Sequence, residues 1–188
     1  MPPSPDHIRA TAEAYLSRHT GEQQPLAPLF AALADAQDPT HRKTFPAHVT
    51  CSAIVLDHAE RVLHIHHNAT GKYLAPGGHV EHGDQDLLQA ALRELREEAG
   101  IPQDAVSPLP GFEALPLDID VHGIDANPAK EEPAHQHIDF RYAFWLTAPR
   151  AVTLQTEEVS GYHWRRIQET ASPTVRAKLA LLPRPARS

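Results

Sequence analysis

Three glutamates at fixed spacing carry the most chemistry in this chain. Glu94, Glu97 and Glu98 lie on a stretch of helical periodicity that follows the glycine-rich turn Pro76-Gly77-Gly78-His79. At about 100° per residue, the three carboxylates fall within roughly 100° of one another on the helix surface. Leu88, Ala91, Leu92, Leu95 and Ala99 form the adjoining apolar stripe, so one side can pack while the other holds acid. Asp86 is placed to cap this helix, with Gln89 three residues on and Gly100 as the stop. The acids are unfavourably placed for a plain helix. Glu97 and Glu98 oppose the dipole in the last turn, and Glu94 and Glu98 are a like-charge i,i+4 pair. A divalent cation that prefers hard oxygen ligands, such as Mg²⁺, turns that repulsion into affinity. A solvated acidic face is the alternative, and the adjoining Gly-Gly turn weighs against it.

Arg93-Glu94-Leu95-Arg96-Glu97-Glu98-Ala99-Gly100-Ile101, preceded by Pro76-Gly77-Gly78, resembles the Nudix box of the Nudix hydrolases. The second half matches at every specified position. In the first half, counting from Gly78, the acid is Asp84 rather than glutamate, and eight residues instead of seven separate it from Arg93. Either Asp84 or Asp86 is therefore placed to pair with Arg93. The resemblance implies an α/β fold, a Nudix-type α/β/α sandwich with a mixed β-sheet. It also implies cleavage of a diphosphate linkage in a nucleoside diphosphate derivative or related organic pyrophosphate, with Mg²⁺ or Mn²⁺ and an activated water. Carried over residue by residue, Glu94, Glu97 and Glu98 are the metal-binding glutamates, assisted by a backbone carbonyl at Gly77 or Gly78. Glu94 or Glu97 also acts on the water, and Arg93 orients the glutamates. Glu157 and Glu158 are candidates for a further acid outside the box. Gly77, Gly78 and Tyr142 are candidates for substrate contact, and Tyr142 or Trp145 could stack on a base if not taken up by the core.

Fourteen histidines are an excess that needs an account. His79 directly follows Gly-Gly. His135, His137 and Asp139 have period-two spacing, which puts them on one face of a strand. His48 comes seven residues after His41. Imidazoles so spaced suit Zn²⁺, Mn²⁺ or Fe²⁺. His41, His48, His79, His135 and His137 resemble the metal site of type 1 isopentenyl diphosphate isomerases, with histidines standing for that family's two glutamates. The isomerase's catalytic cysteine would fall at Gly77, and Cys51 reads as a small core residue. The expectation is a hydrolase with a second, histidine-rich transition-metal site; the alternative is that these imidazoles bind phosphate or one another. His64, His66 and His67 are expected to be partly exposed. Two other classes compete: a non-catalytic module that binds a diphosphate or nucleotide, and an isomerase-like metal enzyme.

The elements that must position these residues follow from periodicity. Helices are expected over 6–20 and 26–36, within a leader of residues 1–42 that precedes a Nudix domain of residues 43–188. Simple packing is the favoured role for this leader, ahead of a lid or a homodimer contact. Strands are expected over 48–56, 61–67, 136–146 and 159–165, with an extended stretch at 112–121 and a long polar loop at 122–134. Ser172-Pro173 starts a last helix through Leu182, closed by Pro183 and Pro185. A net charge of −7 argues against a nucleic-acid polymer as partner, leaving a small-molecule diphosphate. One cysteine fits a reducing compartment. With no long apolar run or signal pattern, a cytoplasmic protein without a membrane partner is expected.

Overall fold

The sheet grows outward from β1 (Ala47–Leu56), a strand buried along its whole length. The computed structural model describes residues 1–35 and 37–182. β1 runs parallel to β7 (His135–Leu146) from the pair Ala47–Gln136 to Leu56–Trp145. On the other edge of β1 lie β2 (Arg61–His67) and the short β4 (Gly77–His79), both antiparallel. β3 (Lys72–Leu74) and β8 (Val159–Arg166) extend the sheet beyond β2. β5 (Val106–Pro108) and β6 (Asp118–Ile124) both pair with the far edge of β7. The result is one mixed sheet.

Alternation along the central pair divides the apolar residues between two cores. Val49, Cys51, Ala53 and Val55 of β1 join Phe140, Tyr142 and Phe144 of β7 in the larger core. That core is closed by Leu87, Ala91 and Leu95 of α3 (Leu87–Ala99). Ile54 and Leu56 face the other way with Ala143, and with Val175 and Leu179 of α4 (Pro173–Ala180). This is the α/β/α sandwich. The leader forms α1 (Pro5–Arg18) and α2 (Ala27–Ala34). Their Ile8, Tyr15, Leu29 and Leu33, with Leu26 just ahead of α2, are buried in the same core as α3.

Several boundaries depart from the sequence expectation. The first helix, expected over 6–20, runs from Pro5 to Arg18 and is capped by Ser4, which accepts the His7 N–H at 3.2 Å. The Gly77–Gly78 turn is a strand, registered Ser52–Gly77, Cys51–Gly78 and Thr50–His79. β5 falls in a segment whose prolines mask it, and residues 122–124 of the expected loop belong to β6. Pro183 and Pro185 lie outside the described residues. Among the described residues, no helix is long and apolar enough to cross a membrane.

Candidate functional site

α3 enters under Asp86, whose side chain accepts the Gln89 N–H at 2.8 Å, and ends at Gly100 in the left-handed conformation. Its carboxylates differ in their surroundings. Glu94 and Glu98 are buried, whereas Glu97 is 41% exposed along its side chain. Close approaches on two sides explain the two glycines, β1 crowding Gly77 and α3 crowding Gly78. A Cβ on Gly77 would meet the Cys51 carbonyl at 2.7 Å, and one on Gly78 would meet Glu94 Oε1 at 2.5 Å. Glu98 Oε2 accepts the Gly77 N–H at 2.8 Å, and its Oε1 lies 3.5 Å from His67 Nδ1.

Arg93 ties this region together. Its Nη1 donates to Glu94 Oε1 at 3.0 Å and Glu97 Oε2 at 2.8 Å. Its Nη2 donates to the His79 carbonyl at 2.7 Å, and its Nε to Asp84 Oδ1 at 3.1 Å. The open choice between the two acids is thereby resolved: Asp84 pairs with Arg93 and Asp86 caps the helix. The extra residue is absorbed ahead of α3 without loss of the pairing. Asp84→Asn is expected to destabilise the fold by about 3 kcal/mol, since it breaks a buried pair, against about 1 kcal/mol for Asp86→Ala at the cap. Urea unfolding of the two variants checks the order; equal losses would refute the assignment.

Burial lifts Glu94 to about 7, against the lowering by Arg93. Burial also lifts Glu98 to about 8; the Gly77 N–H works against this, while Glu94 and Glu158 add repulsion. Glu157 and Glu158 are both exposed, in the segment before β8 whose backbone carbonyls bind Asn68. Glu158 acts on the two buried acids by its charge. Three carboxylates, two of them desolvated, with one guanidinium shared between Glu94 and Glu97, make a donor set that fits a hard divalent ion.

On the opposite face of β1, the histidines assemble around His48. Its ring lies 5.0 Å from that of His135, 4.7 Å from His137 and 5.2 Å from His79. Register makes this cluster, because His48 stands opposite His137 and Thr50 opposite His79. Burial and neighbouring imidazoles lower His79 to about 4 and His137 to about 3. His41 is not part of it. It is exposed, and its Nδ1 accepts the Lys43 N–H; the intervening segment folds back through Thr44 Oγ1 to the Asp38 carbonyl, so a seven-residue spacing does not bring the rings together. His122 joins instead, opposite His137 with ring centroids 5.7 Å apart. The alternation Asp118, Asp120, His122 was its signal in the sequence.

Other expectations need correction. Tyr142 lies in the larger core at 2% exposure and has no face for substrate; Trp145 packs against the smaller core. His66 and His67 are partly exposed as expected, His67 with its Nδ1 3.5 Å from Glu98 Oε1, but His64 is buried, its Nδ1 3.1 Å from the Val62 carbonyl. Cys51 is fully buried and its thiol is pushed up by desolvation, in keeping with a core residue.

A family model described as NUDIX domain matches residues 46–184. The chain is 33% identical over 103 residues to a probable DHNTP pyrophosphohydrolase of Lactococcus lactis subsp. cremoris (strain MG1363). That match covers 55% of this chain and 57% of the relative, little over half the length of either. A C. elegans Ap4A hydrolase in a binary complex shares the fold with a TM-score of 0.54 at 18% identity, over 70% of this chain and 92% of that one. The E. coli dihydroneopterin triphosphate pyrophosphohydrolase does so with a TM-score of 0.51 at 18% identity, over 70% and 91%. At such identities the two structures speak to the fold alone. The family model takes in all eight strands, both glycines of β4 and all of α3, and on that match the chain belongs to the NUDIX domain family.

Proposed function

We propose that this chain hydrolyses a phosphoanhydride bond in a small organic di- or triphosphate, using a hard divalent ion, Mg²⁺ or Mn²⁺. One observation carries the reading: two desolvated carboxylates, Glu94 and Glu98, are held against the Gly77–Gly78 edge by Arg93 and by the Gly77 N–H. Glu94, Glu97 and Glu98, with the Gly78 carbonyl, are the residues that would hold the ion. Such an ion supplies charge neutralisation on phosphate oxygens and activation of water. The chain contributes order and a proton acceptor. Arg93 occupies Glu94 Oε1, which leaves Oε2 to take a proton from water. Arg93 also fixes the His79 carbonyl, so the β4 edge and the acids keep one spacing.

Gly77 sits where an isomerase would need its thiol, and Cys51 is sealed in the core, so an isomerase-like reaction lacks its catalytic cysteine. A binding module without turnover has no use for desolvated acids tuned toward neutrality. The test is phosphate or pyrophosphate release from a panel with Mg²⁺, with dihydroneopterin triphosphate and diadenosine tetraphosphate placed first because similar proteins are named for them. Turnover of at least one member that is lost in Glu97→Gln is expected. No turnover across the panel, or turnover indifferent to Glu97→Gln, would overturn the reading.

A further inference from the structure

We propose that His48, His135 and His137 form a binding site for an imidazole-preferring first-row divalent ion of the Zn²⁺ or Co²⁺ type, separate from the carboxylates of α3. Among the described residues these three form a group whose ligand atoms all lie within 4.8 Å of one another. Proximity is only the first observation. The second is which nitrogen two of the rings, those of His48 and His135, leave free.

His48 Nδ1 is 3.1 Å from the Thr44 carbonyl and His135 Nδ1 is 2.7 Å from the Pro133 carbonyl. A carbonyl only accepts, so each Nδ1 carries the proton and donates, and each Nε2 is left with a free lone pair. A backbone acceptor behind one nitrogen with the other aimed inward is the arrangement that orients metal-ligating imidazoles. His48 Nε2 is fully buried with no hydrogen-bond partner among the described residues, in a residue at 0% exposure. A buried acceptor without a donor is costly, and a cation in the cluster would satisfy it. His137 completes the group from the next strand, set by its register with His48. Phe45 packs on the His135 side at 5.2 Å between ring centroids. His122 repeats the pattern at the edge, its Nδ1 held by Asp120 Oδ2 at 2.8 Å, and His79 flanks the trio. Three imidazoles match the coordination preferred by Zn²⁺, and carry none of the hard oxygens sought by Mg²⁺.

The test uses untagged full-length protein, stripped of metal and then titrated with Co²⁺ in excess Mg²⁺. Visible absorption bands of tetrahedral intensity saturating at about one Co²⁺ per chain are expected, displaced by Zn²⁺. His137→Gln, and independently His135→Gln, should reduce bound Co²⁺ about tenfold or more with circular dichroism unchanged. Glu94→Gln and His41→Gln should leave the bands intact. Absence of bands in the parent protein overturns the proposal. So does their loss in Glu94→Gln or His41→Gln, or their survival in both His137→Gln and His135→Gln. The readout does not depend on hydrolysis, so its failure and that of the hydrolase reading are distinguishable.

Discussion

Glu94→Gln is expected to lower turnover about 10³-fold or more, and at the same time to raise the melting temperature of the metal-free protein at pH 8 by about 3–6 °C. The two effects have one cause. Burial holds Glu94 at about 7 and Glu98 at about 8 in the folded chain, while the unfolded chain titrates them in the ordinary glutamate range near 4.5. Between those limits the folded state holds more protons than the unfolded one, so stability falls as pH rises. The contribution of these carboxyls is complete below about 4.5 and is lost as pH rises through about 7 for Glu94 and about 8 for Glu98. The amide of the Glu94→Gln variant has no charge to desolvate, so the variant escapes part of that loss. Mg²⁺ acts on the same charges, so it should raise the melting temperature of the parent protein more at pH 8.5 than at pH 6, and do so less in the variant. Differential scanning fluorimetry in EDTA and in Mg²⁺ at the two pH values reads all of this. A variant that is inactive but also less stable at pH 8 would mean that Glu94 is a structural residue with its charge already satisfied.

The parts of this site that the sequence exposes are those defined by local spacing. Helical period alone places Glu94, Glu97 and Glu98 together, and Asp86 and Gly100 mark the ends of α3. The period of β7 puts His135, His137 and Asp139 on one face, where the structure has them. What local spacing cannot supply is register between strands. His48 meets His137 because β1 and β7 run parallel, and His41 fails to join because the chain folds back at Asp38–Thr44 before β1 begins. The same limit hid His122, which reaches the cluster only through the pairing of β6 with β7. Asp84 could not be separated from Asp86 by counting, since the choice rests on which side chain the Arg93 guanidinium reaches across a loop. Tyr142 shows the converse limit. Its alternation is correct, but which face of β7 is sealed depends on α1, α2 and α3 together.

That dependence makes the leader a second place for a large effect: removal of residues 1–42 is expected to abolish cooperative folding of the remainder. The family match begins at residue 46, so the truncated chain would keep the whole box and every strand. It would lose Ile8, Tyr15, Leu26, Leu29 and Leu33 from a core they share with Phe140, Tyr142 and Phe144. Each large apolar side chain deleted from a core costs about 2–5 kcal/mol, so five cost about 10–25 kcal/mol, as much as or more than the roughly 5–15 kcal/mol that separates a folded domain from its unfolded chain. A polar network is broken as well. Lys178 of α4 donates to Asp118 at 2.7 Å and to Glu22 at 3.0 Å, and Tyr15 is hydrogen-bonded to both Glu22 and Lys178. Asp118 in turn accepts from Arg141, which also binds Asp120 and Asp139, so the leader is joined to the charged row on the face that carries the histidines. Leu29→Ala keeps the chain intact and removes one core contact. It should lower stability by about 2–5 kcal/mol while preserving a single sharp transition. A truncated chain that melts sharply near the parent temperature would show that α1 and α2 are an appendage rather than one wall of the core, and α3 would then hold its carboxylates against β4 without them.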